Sequence, residues 1–183
     1  AGGAVNALPD GATVAGRLLA GTSLQVRGLC RMQLDDDERA GVDLVRGTTL
    51  IAGLLDEHGP LAPEPAAAHL LALLALGEAQ RDPVPFLARA LEVRPLPGEV
   101  PATLLDDLAD HLDAGTAEPE LLGPLTGFAA AFEREVPTGR EHELLAECLE
   151  RYASLTGEAA AQEAAVRLRE GLAAHDPRHR SRL

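Results

Sequence analysis

The stretch Glu141–Leu183, EHELLAECLERYASLTGEAAAQEAAVRLREGLAAHDPRHRSRL, decides the fold. Leu144, Leu145, Cys148, Leu149 and Tyr152 recur at the spacing of a helix that is apolar on one side. After Thr156 and Gly157 a second helical pattern carries Leu168 and Leu172 on its inward face. The same arrangement stands 40 residues earlier. Leu104, Leu105, Leu108 and Leu112 repeat the first helix, and Phe128 and Phe132 stand where Leu168 and Leu172 recur. Thr116 and Thr156 keep that offset, as do Pro97, Pro137 and Pro177. Similarity at a fixed period of this length is the mark of stacked supersecondary units, each too small to bury its apolar face alone.

Working outward, segments containing Gly and Pro at Asn6–Gly11, His58–Pro65, Arg94–Pro101, Gly115–Pro119 and Val136–Gly139 separate stretches of helical periodicity. A large apolar residue precedes a proline by nine positions in each second helix: Ile51 and Pro60, Phe86 and Pro95, Phe128 and Pro137, Leu168 and Pro177. A proline there ends the helix and aims the chain into the next one. Thr138 and Glu141 form a T-x-x-E capping box, and Pro124 suits the first turn of a helix that buries Leu125, Phe128 and Phe132. His175, Arg178 and Arg180 place positive charge near a helix C-terminus, where it is favourable. The expected fold is all-α, a stack of antiparallel helical hairpins. Its units are approximately 21–60, 61–96, 97–136 and 137–177, preceded by an extension and short helix over 1–20.

Thr22–Leu34 reads two ways. Leu24, Val26, Cys30, Met32 and Leu34 alternate with polar residues as in a strand, whereas Val26, Leu29, Cys30 and Leu34 share one face of a helix. The helix is preferred because no second strand candidate exists to pair with it.

Composition points the same way. Ala and Leu dominate the apolar residues, with one Tyr, three Phe and no Trp, a mixture suited to helices rather than to pleated surfaces. The net charge of -13 repels phosphate backbones and anionic headgroups, so neither nucleic acid nor a membrane surface is an expected partner. Every basic residue is Arg, which removes Schiff-base and P-loop lysine chemistry. Cys30 and Cys148 lie far apart without a CxxC, as expected of two buried, unbridged thiols in a reducing, cytoplasmic setting. The longest apolar run, Ala66–Leu76, is interrupted by His69 and is shorter than the roughly 20 residues a bilayer requires.

Several residue groups invite chemical readings and favour structural ones. Asp35, Asp36, Asp37 and Glu38 offer oxygens for a divalent cation, but consecutive side chains do not converge, and at a helix start they complement the dipole. His142 and Glu143 begin an H-E-x-x pattern whose second histidine is replaced by Ala146, so the zinc-protease site is incomplete. Asp56, Glu57 and His58 set acid beside imidazole, at what reads as an exposed helix end. His69, among Ala and Leu, reads as a core histidine with satisfied ring nitrogens. With Ser23, Ser154 and Ser181 the only serines, no G-x-S-x-G elbow exists, and no glycine loop cradles a phosphate. No catalytic residue, metal site or cofactor is expected.

The stretch from Glu141 resembles the long tetratricopeptide-like repeats of actinobacterial multidomain proteins. The matching residues are Arg151, Tyr152, Thr156, Gly157, Ala165, Val166, Leu168, Arg169, Leu172, Asp176, Pro177 and His179, and the unit before it shares the apolar skeleton. The resemblance implies a tetratricopeptide-like α-solenoid whose first helices line a concave binding face. It also implies a role as sensor or docking arm beside a catalytic module such as a caspase-like CHAT domain. Nothing in this chain resembles that protease. On such a face the aligned polar pairs Asp107 with Glu147 and His111 with Arg151 are the expected contacts to a protein or peptide partner. The chain departs from repeats that grip a C-terminal carboxylate with Asn and Lys, since it has only Asn6 and no Lys. Two other readings compete: an acidic inhibitor or immunity-type protein that neutralises a basic toxin or nuclease, and a helical metal-dependent enzyme, which lacks the E-x-x-H pairs of the common di-iron bundle.

Overall fold

The structure, a computed structural model, describes residues 13–94, 96, 100–137 and 139–175. Its elements are α1 (Val14–Met32), α2 (Asp37–His58), α3 (Pro63–Gln80), α4 (Val84–Glu92), α5 (Val100–Asp113), a short 3-10 turn (Pro119–Leu121), α6 (Leu122–Glu135), α7 (Arg140–Thr156) and α8 (Ala159–His175).

Local chemistry sets many of the ends. Thr13 caps α1, its Oγ1 accepting from the Gly16 amide at 3.1 Å. Asp36 stands at the cap of α2 with Asp37 and Glu38 in the first turn, so the acidic run serves the helix dipole. Pro63 opens α3, where its missing N–H costs nothing. Gly59 and Gly157 end α2 and α7 at φ of 80° and 78°, which only glycine adopts without strain.

The chain folds as stacked antiparallel helical hairpins in two layers. First helices α1, α3, α5 and α7 lie side by side in one layer, and α4, α6 and α8 form the other, while α2 packs on α1 and α3. Within the first pair, Arg17 meets Glu57 and Arg27 meets Asp43, so α1 and α2 run in opposite directions. Between pairs the first helices run parallel: the Cys148 thiol lies 3.8 Å from the Leu105 carbonyl oxygen, and Arg151 Nε lies 3.7 Å from Asp113 Oδ1.

One continuous core runs from α3 to α8, built on Leu70, Leu73, Leu91, Leu105, Leu108, Leu112, Phe128, Phe132, Leu145, Leu149, Tyr152 and Leu168. The period read from the sequence therefore marks equivalent buried positions. Leu105, Leu108 and Leu112 correspond to Leu145, Cys148 and Tyr152, all of them buried. Tyr152 is longer than its counterpart, and its hydroxyl donates to the Glu118 carbonyl at 2.9 Å, tying α7 to the turn before α6. Leu144 departs from the pattern: it is only half-buried, whereas Leu104 is fully enclosed.

Thr22–Met32 belongs to α1, so the helical alternative holds. The reason that stretch looks ambiguous lies in its partner. Gly21, Gln25 and Gly28 press against Ala40, Leu44, Gly47 and Ile51 of α2, and a Cβ on Gly47 would stand 2.7 Å from Gln25 Cγ and 2.8 Å from the Gly21 carbonyl oxygen. Close backbone approach, not a stripe of large residues, joins this pair.

Several expectations need correction or relocation. α1 is continuous across the boundary drawn at residue 20, so the first pair begins at Val14 rather than at residue 21. Cys30, expected to be buried, is exposed on the outer stripe of α1 with Leu19 and Val26, because the glycine side of that helix faces α2. The Thr138 capping box, the Asn6–Gly11 turn, Pro95, Pro97, Pro177, Arg178 and Arg180 lie outside the described residues.

Candidate functional site

Parallel first helices leave furrows between them, and three clefts open along that layer. Between α1, α3 and α5 a cleft of about 500 Å³ has an apolar floor of Leu29, Met32, Leu71, Leu74 and Ala75. Between α3, α4 and α5 a smaller one, about 230 Å³, is floored by Leu74, Pro83, Phe86 and Leu87. Between α5 and α7 lies a third, floored by Ala109, Leu112, Leu144 and Cys148. Small residues contribute to the openings, since Gly77 and Ala109 leave room that larger side chains would fill.

The four expected contact residues all lie here, in two groups. Asp107 and His111 border the cleft between α3 and α5, and Glu147 and Arg151 border that between α5 and α7. Three of the four are engaged within the chain. His111 Nε2 lies 2.8 Å from Glu118 Oε2, Arg151 pairs loosely with Asp113, and Glu147 Oε1 stands 3.9 Å from Arg169 Nη2.

Asp107 differs. The residue is exposed, yet partial desolvation against the cleft wall and then the neighbouring carboxylates Asp110, Glu78 and Asp106 push its carboxyl above the usual range. No ion pair among the described residues neutralises Asp107, Asp106, Asp110 or Glu78. Glu78 and Asp107 border both clefts that flank α3. Glu78 escaped the sequence reading because it follows the apolar run of α3 as an ordinary polar residue. Only the approach of α5 joins it to Asp107.

Elsewhere the buried polar groups hold helices together. Asp43 is enclosed and accepts both arms of the Arg27 fork at 2.7 Å, with Arg31 also upon it, so its carboxyl stays below the usual range. The Gln25 amide lies 2.8 Å from His69 Nδ1 and 3.4 Å from Thr48 Oγ1, linking α1, α2 and α3. Burial, reinforced by Arg89, brings the His69 imidazole down to about 4, so it is neutral at physiological pH. Arg169 of α8 faces Glu143, Glu147 and Glu150 of α7, and its Nε and Nη2 donate to Glu150 at 3.0 and 3.1 Å.

The remaining candidates separate in space. His142 is buried edge-on against Phe132, with ring centroids 4.7 Å apart. Asp56, Glu57 and His58 form an exposed end of α2, where Glu57 bonds Arg17. Among the described residues no group of three or more His, Cys, Asp or Glu converges as a metal would need. Nor is any described helix long and apolar enough to cross a membrane. No protein-family model, curated protein or solved structure matches the chain.

Proposed function

We propose that the chain is a non-catalytic helical-repeat module that binds a protein or peptide along its first-helix layer. In this reading it is tetratricopeptide-like and serves as a sensor or docking arm of a larger bacterial signalling or defence protein. The observation that carries the reading is the row of three clefts with apolar floors on α1, α3, α5 and α7. A regular row of furrows between stacked helices suits an extended partner better than a single small molecule.

The test is unbiased selection of displayed peptides against the whole chain, followed by hydrogen exchange to map the best binder. Protection concentrated on α3, α5 and α7 supports the proposal. Protection confined to the outer surfaces of α2, α6 and α8, or an enrichment no better than on a blank support, would count decisively against it.

A further inference from the structure

The middle of the first-helix layer is electrostatically unfinished. Nine other acidic residues, Asp36, Asp43, Glu57, Asp113, Glu118, Glu133, Glu143, Glu147 and Glu150, each have Arg or His within 4.0 Å. Glu78, Asp106, Asp107 and Asp110 have no such neighbour among the described residues; all four are exposed, and Glu78, Asp107 and Asp110 stand at the rim of an apolar cleft. Leu74 and Phe86 are half-buried on the floor of the cleft that Glu78, Asp107 and Asp110 border. Carboxylates of like charge gathered around Asp107 repel one another, and a cation placed among them would relieve that repulsion.

We infer that this cleft receives a basic amphipathic segment of another protein, an apolar side chain seated on Leu74 and Phe86 and an Arg or Lys between Glu78 and Asp107. The inference rests on the binding-module reading and adds the chemistry of its partner. An amphipathic segment meets both halves of the surface at once: its apolar anchors bury against the floor while its cationic positions face the rim. The chain's net charge of -13 attracts such a segment from a distance, and the rim sets where it stops.

The experiment uses the full chain and a fluorescein-labelled amphipathic peptide of Leu and Arg at helical spacing. Two control peptides accompany it, one with Glu for every Arg and one with Gln for every Leu. The Leu/Arg peptide should bind, and both controls should bind at least about tenfold more weakly. Glu78→Gln combined with Asp107→Asn should weaken the Leu/Arg peptide by about tenfold or more, equivalent to about 1.4 kcal/mol. Glu158→Gln with Glu163→Gln, which removes equal charge from exposed positions near the start of α8, should change it less than about twofold. Removing mutually repelling carboxylates leaves the melting temperature unchanged or raised, so lost binding is not lost folding.

Equal weakening by the two double variants would reduce the effect to diffuse attraction and overturn the inference. So would failure of the Leu/Arg peptide to bind. If displayed binders map to this layer yet lack basic residues, the partner chemistry is wrong while the module reading stands. If they map elsewhere, both fall.

Discussion

The Cys148 thiol of α7 points at the Leu105 carbonyl oxygen of α5, 3.8 Å away, where two equivalent helices of successive pairs run side by side. Burial is the main cause that pushes this thiol up to about 12, with Glu147, Asp113 and Asp106 adding to it. Cys30 is exposed on α1. Iodoacetamide at neutral pH should therefore alkylate Cys30 alone in the native protein and both thiols in denaturant. Peptide mass mapping reads the outcome, and rapid native labelling of Cys148 would contradict the α5–α7 packing.

The glycines of α2 should divide by their surroundings. A methyl group at Gly47 meets Gln25 and the backbone of Gly21, so Gly47→Ala should cost about 1–3 kcal/mol. Gly41 and Gly53 have nothing within 4 Å of an added Cβ, and Ala at either should stabilise by about 0.5–1 kcal/mol through the unfolded chain and helix propensity. Thermal melts of the three variants give the comparison, and equal shifts at Gly47 and Gly53 would refute the close α1–α2 seam.

Arg169 holds α8 against the acidic side of α7, its side chain only 9% exposed. Arg169→Leu keeps much of the apolar stem but leaves Glu143, Glu147 and Glu150 facing one another without it. The loss should be about 2 kcal/mol, below that of a fully buried pair because Glu147 and Glu150 still reach solvent. Arg169→Lys retains charge without the two-pronged geometry and should lose about half as much. Urea unfolding of both variants at low and high salt is the measurement, with the Leu variant's deficit expected to shrink as salt screens the carboxylates.

His69 makes stability fall in acid. Its folded value of about 4 lies below the ordinary 6.5, so the unfolded chain takes up the proton first. The contribution is complete above about pH 6.5 and declines as pH falls toward about 4, a total of about 3 kcal/mol. Below that both states are protonated and the slope from this residue vanishes. Arg89 opposes the charged ring, while Asp56 and Glu92 border the same cleft. His69→Gln should flatten the stability profile between pH 4 and 6.5, measured by urea unfolding at stepped pH. An unchanged slope would show that the ring is not held neutral.

Much of the architecture was legible along the chain, and the gaps have definite causes. Leu105, Leu108 and Leu112 with Leu145, Cys148 and Tyr152 announced two equivalent helices, because burial on one face imposes a helical period on neighbouring residues. The turns at Gly59, Gly115 and Gly157 could be found because those residues carry a positive φ. The turns between α1 and α2 and between α3 and α4 gave no such signal. There Asp35 and Arg81 occupy the left-handed region at φ of 56° and 55°, a conformation their side chains do not advertise. Of the expected contact residues, Asp107 and His111 do share a cleft, as do Glu147 and Arg151, but their neighbours Glu78 and Phe86 could not be named beforehand.

The residue pattern alone settled an all-helical chain, the 40-residue period and an acidic surface, since each depends on composition or on residues a few positions apart. Tertiary structure decided which acids find a cation. Asp43, Glu57 and Glu150 meet arginines on other helices, whereas Asp107 has Asp110, Glu78 and Asp106 as its charged neighbours. It also decided that α1 and α2 touch through glycine and that Cys30 faces outward. Charge pairing and close packing depend on distances between separate helices, and those distances are set only when the layers assemble.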